Sequence, residues 1–236
     1  MNDSARPSPS SLPPLPPAFA TTRDALHLVA ARVLGAARYA AVGRLGLMVV
    51  PGGFGTPAFD GRRLLVVDGA LSDGQRRQPV TTLADAYAFA GLDPDAPTHP
   101  VLDLPADSSA VLPVDIDAAR VLARWYAFGQ SLLASLSADD ADADADGADD
   151  PSPIQLWPEH FDLALEIGKP GTRANYGASP GDDAIDQPYL YVGPHDRRDG
   201  PFWNAAFGAA LTYDEIRAGA DPASFLRQGY ELLRDR

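Results

Sequence analysis

The chain has no cysteine, which removes disulfides, thiolate metal sites and cysteine nucleophiles together. Lysine is almost missing as well: Lys169 is the sole lysine among nineteen basic residues. No run reaches the roughly 18 consecutive apolar residues that a membrane-spanning helix needs, because Arg, Asp, Gly or Pro interrupts every apolar stretch. The opening MNDSARPSPSSLPPLPP lacks the apolar core of a secretory leader. These absences lead us to expect a soluble, cytoplasmic protein with no membrane partner.

What is present is enough apolar material to bury a core: 236 residues, 45% of them hydrophobic. The formal charge is −13, yet residues 137–151 hold seven Asp and no basic residue, so the remainder carries only −6. A mildly acidic body without a basic patch repels nucleic acid, and no nucleic-acid partner is expected. Nothing in the sequence calls for a cofactor, and the oligomeric state is not legible.

Residues 1–20 are rich in Pro and Ser and read as a disordered tail of polyproline character, with Leu12-Pro13-Pro14-Leu15-Pro16-Pro17 as a candidate ligand for an SH3-type module. Residues 137–153, SADDADADADGADDPSP, read as a disordered, self-repelling acidic linker. They do not form a calcium loop, since the Gly and the closing Glu are not where that loop requires them.

Between tail and linker, in residues 21–136, Thr21 or Thr22 caps a helix whose Leu26, Val29, Ala30, Val33 and Ala37 recur at helical spacing until Gly43. Leu45–Val50 and Arg62–Val67 read as a hairpin joined by PGGFGTP. Thr82 caps a short helix, and Asp115 or Asp117 opens a longer one through Leu136. After the linker, residues 154–236 give a strand at Tyr189–Val192 and a final helix signposted by Asp221 and Pro222. About 85 residues with two or three short strands cannot bury both faces of their own sheet. The expectation is therefore an α+β fold, a mainly antiparallel sheet packed with three or four helices, in a single core shared by the parts before and after the linker.

Val49-Val50-Pro51-Gly52-Gly53-Phe54-Gly55-Thr56 resembles the PGGxGT signature of the lysine-decarboxylase-like phosphoribohydrolases, which cradles phosphate at a helix N-terminus. Here the chain continues Pro57-Ala58-Phe59-Asp60-Gly61-Arg62 and re-enters a strand, so a Gly-rich hairpin turn is the favoured reading.

Leu156 to Glu166 is the most informative stretch. With period two, Trp157, Phe161, Leu163 and Leu165 share one face, while His160, Asp162 and Glu166 share the other. That places an imidazole beside a carboxylate, a pair able to orient a general base, fix a polar ligand or begin a metal site. A helical reading from Pro158 is the rival and would make His160 and Asp162 diverge. A metal at His160 and Asp162 needs a third ligand, for which Glu159, Asp182, Asp183 and His195 are the candidates. The loop Arg173–Asp183 then offers Asn175, Tyr176 and Asp182, and Tyr189 and Tyr191 fall on one strand face, with Phe202-Trp203-Asn204 adding aromatic surface. Rings with a few polar groups are the material of a small-molecule pocket, and equally of a core. Of the four histidines, His27 sits off the main face of the first helix, and no serine has an activating context.

Taken in order, RDALHLVAARVLGAARYAAVGRLGL, PGGFGTPAF, SPIQLWPEHFDLALEIG, RANYGASPGDD, PYLYVGP and FWNAAFGAALTY look like a group of actinobacterial proteins distantly similar to the domain-of-unknown-function family DUF5996. The resemblance covers roughly residues 22 to 226 and implies an intracellular location. It implies no chemistry.

The leading expectation is a small-molecule-binding or regulatory module whose pocket, after the linker, uses Trp157, Glu159, His160, Asp162, Asn175, Tyr176, Asp182, Tyr189 and Tyr191. The alternatives are a hydrolase using His160 and Asp162, with or without a divalent metal, and a partner-binding protein recruited through its Pro-rich tail.

Overall fold

A computed structural model describes residues 12–143 and 151–234. Among these, ten strands fall into two antiparallel five-stranded sheets, and with the helices around them the fold is α+β. The chain divides into two compact units, and the acidic segment is not their boundary. One unit comprises Pro14–Ala127 with Gln155–Asp162; the other comprises Met1–Pro13, Phe128–Ile154 and Leu163–Arg236.

The first unit begins with a continuous helix: α1 (Phe19–Leu28), a π-helical stretch (Val29–Gly35) and α2 (Ala36–Val42). By length and composition these 24 residues are apolar enough to cross a membrane, despite the arginines within them. Ala25, Leu26, Val29, Ala30, Val33, Leu34 and Ala37 are nevertheless buried inside this unit, as the apolar stripe predicts. Gly35 sits where a Cβ would come within 3.1 Å of both Leu102 and Pro158, so the missing side chain admits the close approach of those two. Gly43, at φ 67°, ends the helix in the left-handed conformation that favours glycine.

The strands β1 (Met48–Val50), β2 (Gly53–Gly55), β3 (Leu65–Val67), β4 (Ala70–Ser72) and β5 (Arg77–Pro79) pair antiparallel in chain order. Pro51-Gly52 forms the first turn, with Gly52 at φ 80°. Asp68-Gly69 forms another, with φ of 49° and 71°, the pattern of a two-residue turn whose twist matches the strands. The glycine-rich stretch is thus a strand and not merely a connection. β2 lies so close to β3 that a Cβ on Gly53 would fall 1.8 Å from the Val66 carbonyl oxygen. No helix follows it to receive a phosphate.

Thr82 caps α3 (Leu83–Ala90) by accepting from the Asp85 amide at 3.0 Å. Asp115 caps α4 (Ile116–Ala143) through the Ala118 amide at 2.8 Å. The short strand β6 (Gln155–Trp157) bonds Leu156 to Leu47 in both directions, at 2.7 and 3.1 Å.

In the second unit β7 (Asp162–Ile167), β8 (Ala174–Ser179), β9 (Tyr189–Pro194) and β10 (Ala209–Thr212) form an antiparallel meander. One face, carrying Leu165, Tyr176, Leu190 and Val192, is fully buried. The helices α5 (Tyr213–Arg217) and α6 (Pro222–Arg234) follow. Gly229 of α6 approaches Val192 so closely that a Cβ would lie 2.7 Å from its methyl, and Gly129 of α4 does the same to Ala178 at 2.5 Å.

Several expectations change. Neither Thr21 nor Thr22 caps the first helix, which starts at Phe19 after Ala18 and has no side-chain cap. Residues 12–20 are not a tail: Leu12 and Phe19 are 7% and 4% exposed, and the Pro13 carbonyl accepts a 2.6 Å hydrogen bond from the Tyr213 hydroxyl. The two apolar anchors repay the ordering of the prolines between them. Residues 1–11 lie outside the described residues. The acidic linker is shorter than 137–153, because α4 continues to Ala143; alanines favour the helix. At its other end Ser152 exchanges two hydrogen bonds with Glu166, at 2.9 and 2.8 Å. Residues 144–150 lie outside the described residues. Lastly, residues 155–167 are two strands separated by a turn at 158–161, neither one strand nor a helix.

Candidate functional site

A cleft of about 780 Å³ opens in the second unit, between the segment Arg198–Asn204, the edge of β10 and helix α6. Its position follows from local chemistry. Asp221 accepts from the Ala223 and Ser224 amides and from the Ser224 hydroxyl, which fixes the start of α6 and projects Phe225, Gln228 and Leu232 along the cleft. The Ser224 hydroxyl, followed by the amides, holds the Asp221 carboxyl below the usual carboxylate range. Thr212 and Glu215 form a reciprocal capping box that sets α5 on the end of β10.

Across the cleft Asn204 bonds to Ala210 and anchors the loop before it. That loop presents Phe202 and Trp203, whose rings meet edge to face at 4.9 Å, and Phe202 stacks on Phe225 at 5.3 Å. The three rings are half-buried. Four charged residues border them: Arg198, Asp199, Glu215 and Asp221.

None of the nine residues selected from the sequence lines this cleft. Trp157, Glu159, His160 and Asp162 belong to the first unit, while Asn175, Tyr176, Asp182, Tyr189 and Tyr191 belong to the second. In the second unit Asn175 is exposed, whereas Tyr176 is 1% exposed in the core near Tyr230. Adjacent strand residues point to opposite faces, so these two diverge. Asp182 and Tyr189 do come together: the Tyr189 hydroxyl donates to Asp182 Oδ2 at 2.6 Å, and the same carboxylate accepts the amides of Ala184 and Ile185. That pair fastens a loop. Tyr191 lies across Gly177, where a Cβ would come within 2.5 Å of its ring.

In the first unit the turn at 158–161 carries a different constellation. Phe161 has φ 56°. Among the described residues the two other non-glycine positions at positive φ, Asp60 and Asp68, each precede a glycine in a turn, where Asp is tolerated; an aromatic residue there is a strained choice. It is held by its neighbours. The His27 ring stacks on Phe161 at 5.3 Å, and Phe54 and Tyr126 meet it edge-on at 5.1 and 5.6 Å. The buried Tyr126 hydroxyl donates to the Phe161 carbonyl at 2.6 Å. Burial, then the charge of Asp162, pushes that phenol well above its usual pKa, with Arg23 opposing. His27 Nε2 lies 3.2 Å from the Glu159 carbonyl, and burial lowers the imidazole pKa below 6.5.

The positive φ at Phe161 breaks the alternation expected between His160 and Asp162. His160 is exposed on the turn, whereas Asp162 opens β7 with Oδ1 buried. Among the described residues no three His, Asp or Glu side chains gather as a metal site, so the proposed third ligands do not complete one.

No family model, curated protein or solved structure matches this chain. The likeness to DUF5996 therefore rests on the sequence segments alone. Sequence reasoning reached Phe202-Trp203-Asn204 as aromatic surface but missed α6 as the opposite wall. The signal was available: Phe225, Gln228 and Leu232 recur at helical spacing after the Asp221-Pro222 start.

Proposed function

We propose that the protein is a small-molecule-binding module and that the cleft between Arg198–Asn204, β10 and α6 receives the ligand. The observation behind this reading is the size and make-up of that cleft. About 780 Å³ lies within the range of ligand sites, and three aromatic rings border a few polar groups. The site falls after the acidic segment, in residues 198–232, and the walls are held by caps and by Asn204 rather than by mobile contacts. A soluble, cytoplasmic setting accords with the first helix burying its apolar face within its own unit.

The test is a thermal-shift screen of a small-molecule library on the full chain, repeated with Trp203→Ala. Ligands that raise the melting temperature of the wild type and lose that effect in the variant support the reading. A library-wide absence of Trp203-dependent ligands refutes it.

The hydrolase reading has less behind it, since His160 is exposed on a strained turn. Recruitment through Leu12–Pro17 also weakens, because Leu12 is buried and the Pro13 carbonyl is engaged by Tyr213.

A further inference from the structure

We propose that the ligand of this cleft is a small organic cation, an ammonium carried on an aromatic or branched apolar body. The inference rests on the cleft being a ligand site and adds the charge class of what it takes.

Two features of the lining combine. The apolar part is aromatic: Phe202, Trp203 and Phe225 line the cleft, and the face of such a ring attracts a cation through its quadrupole while the ring covers the apolar body. Among the lining residues the carboxylates of Asp199, Glu215 and Asp221 outnumber Arg198, with Arg197 paired to Asp199 and Arg227 acting on Asp221 from outside the lining. Arg198 is also partly committed, since it donates to the Gly171 carbonyl. The hydrogen bonds that Asp221 accepts at the start of α6, with the nearby charge of Arg227, hold its carboxyl below the usual range, and Glu215 accepts from Thr212 in the capping box. Asp199 is 88% exposed and pairs with the equally exposed Arg197 at 3.7 Å.

An anionic ligand would meet the like charges of Asp199, Glu215 and Asp221 along the lining. A neutral ligand of the same shape would gain the rings but not the field. Cation, neutral and anion should therefore bind in that order.

The experiment is calorimetric titration of the full-length protein with three probes of matched shape: phenethylammonium, 2-phenylethanol and phenylacetate. The expected result is that the cation binds about three- to thirty-fold more tightly than the alcohol, and the carboxylate least tightly. Asp199→Asn, which removes an exposed charge with little structural role, should narrow the gap, and so should 1 M salt, where the screening length is about 3 Å. Equal binding of cation and alcohol, or tighter binding of phenylacetate, overturns the charge assignment and leaves the cleft as a ligand site. Failure of all three probes to bind counts against the cleft itself and against the assignment built on it.

Discussion

Asn204 acts toward Ala210 as a neighbouring strand would. Its Nδ2 donates to the Ala210 carbonyl at 3.0 Å and its Oδ1 accepts the Ala210 amide at 2.8 Å. Gly208 and Ala205 exchange two hydrogen bonds just before, and the Thr212 amide is taken by Glu215 just after. The outer edge of β10 is thus closed by the chain's own groups, which removes a template for pairing with a second molecule.

Asn204→Ala should destabilise the protein by about 1–3 kcal/mol, because it leaves a donor and an acceptor of one residue unpaired together. Asn204→Asp keeps the acceptor but sets a carboxylate oxygen against the Ala210 carbonyl, so it should cost at least as much. Urea denaturation of the three proteins measures the order. Equal stability of Asn204→Ala and wild type would show that water replaces the amide without loss.

Phe161 joins a backbone strain to a set of ring contacts, and the two are separable. Phe161→Ala and Phe161→Gly both delete the ring that His27, Phe54 and Tyr126 hold. Only glycine relieves the φ of 56°. The glycine variant should therefore be more stable than the alanine variant by about 1 kcal/mol, the reverse of the order in an ordinary strand. Denaturation midpoints decide it.

His27 makes the stability depend on pH. Its pKa in the folded protein lies below the ordinary 6.5, chiefly through burial, so the unfolded chain binds the proton more readily. Stability is then full above 6.5 and falls as the pH drops from there toward the folded value. In His27→Phe, which keeps a ring on Phe161, the melting temperature should fall less between pH 7 and pH 5 than in the wild type. Parallel pH profiles for the two proteins would rule out His27 as the source.

Local signals were the readable ones. Thr82, Asp115 and Asp221 cap the helices that the sequence assigns to them, because a cap needs only an oxygen and an amide two or three residues away. Composition misled where it was taken as a boundary: the Pro-rich run ends early because Leu12 finds a buried place, and the Ala-Asp run stays helical to Ala143. The turn at 158–161 was hidden for another reason. Nothing next to Phe161 in the sequence announces its left-handed conformation, which is held by His27, Phe54 and Tyr126 from distant positions. Pairing His160 with Asp162 needed an extended backbone between them, and that one dihedral angle removes it. The cleft escaped because its walls are joined by helix spacing on one side and a loop on the other.

The glycine-rich stretch Pro51–Thr56 separates a structural account from a ligand account. A Cβ on Gly53 would lie 1.8 Å from the Val66 carbonyl oxygen and 3.2 Å from the Val67 Cα, both of them backbone atoms. The strand β2 cannot yield without parting from β3, so Gly53→Ala should prevent native folding, seen as loss of cooperative unfolding. Gly74→Ala is the control. It has φ 89° but open space around it, so it should cost only on the order of 1 kcal/mol. A phosphate cradle predicts a different outcome: Gly53→Ala would fold, and inorganic phosphate would raise the melting temperature of the wild type but not of the variant. A cooperatively folded Gly53→Ala protein would show that β2 does not run as close to β3 as this pairing requires.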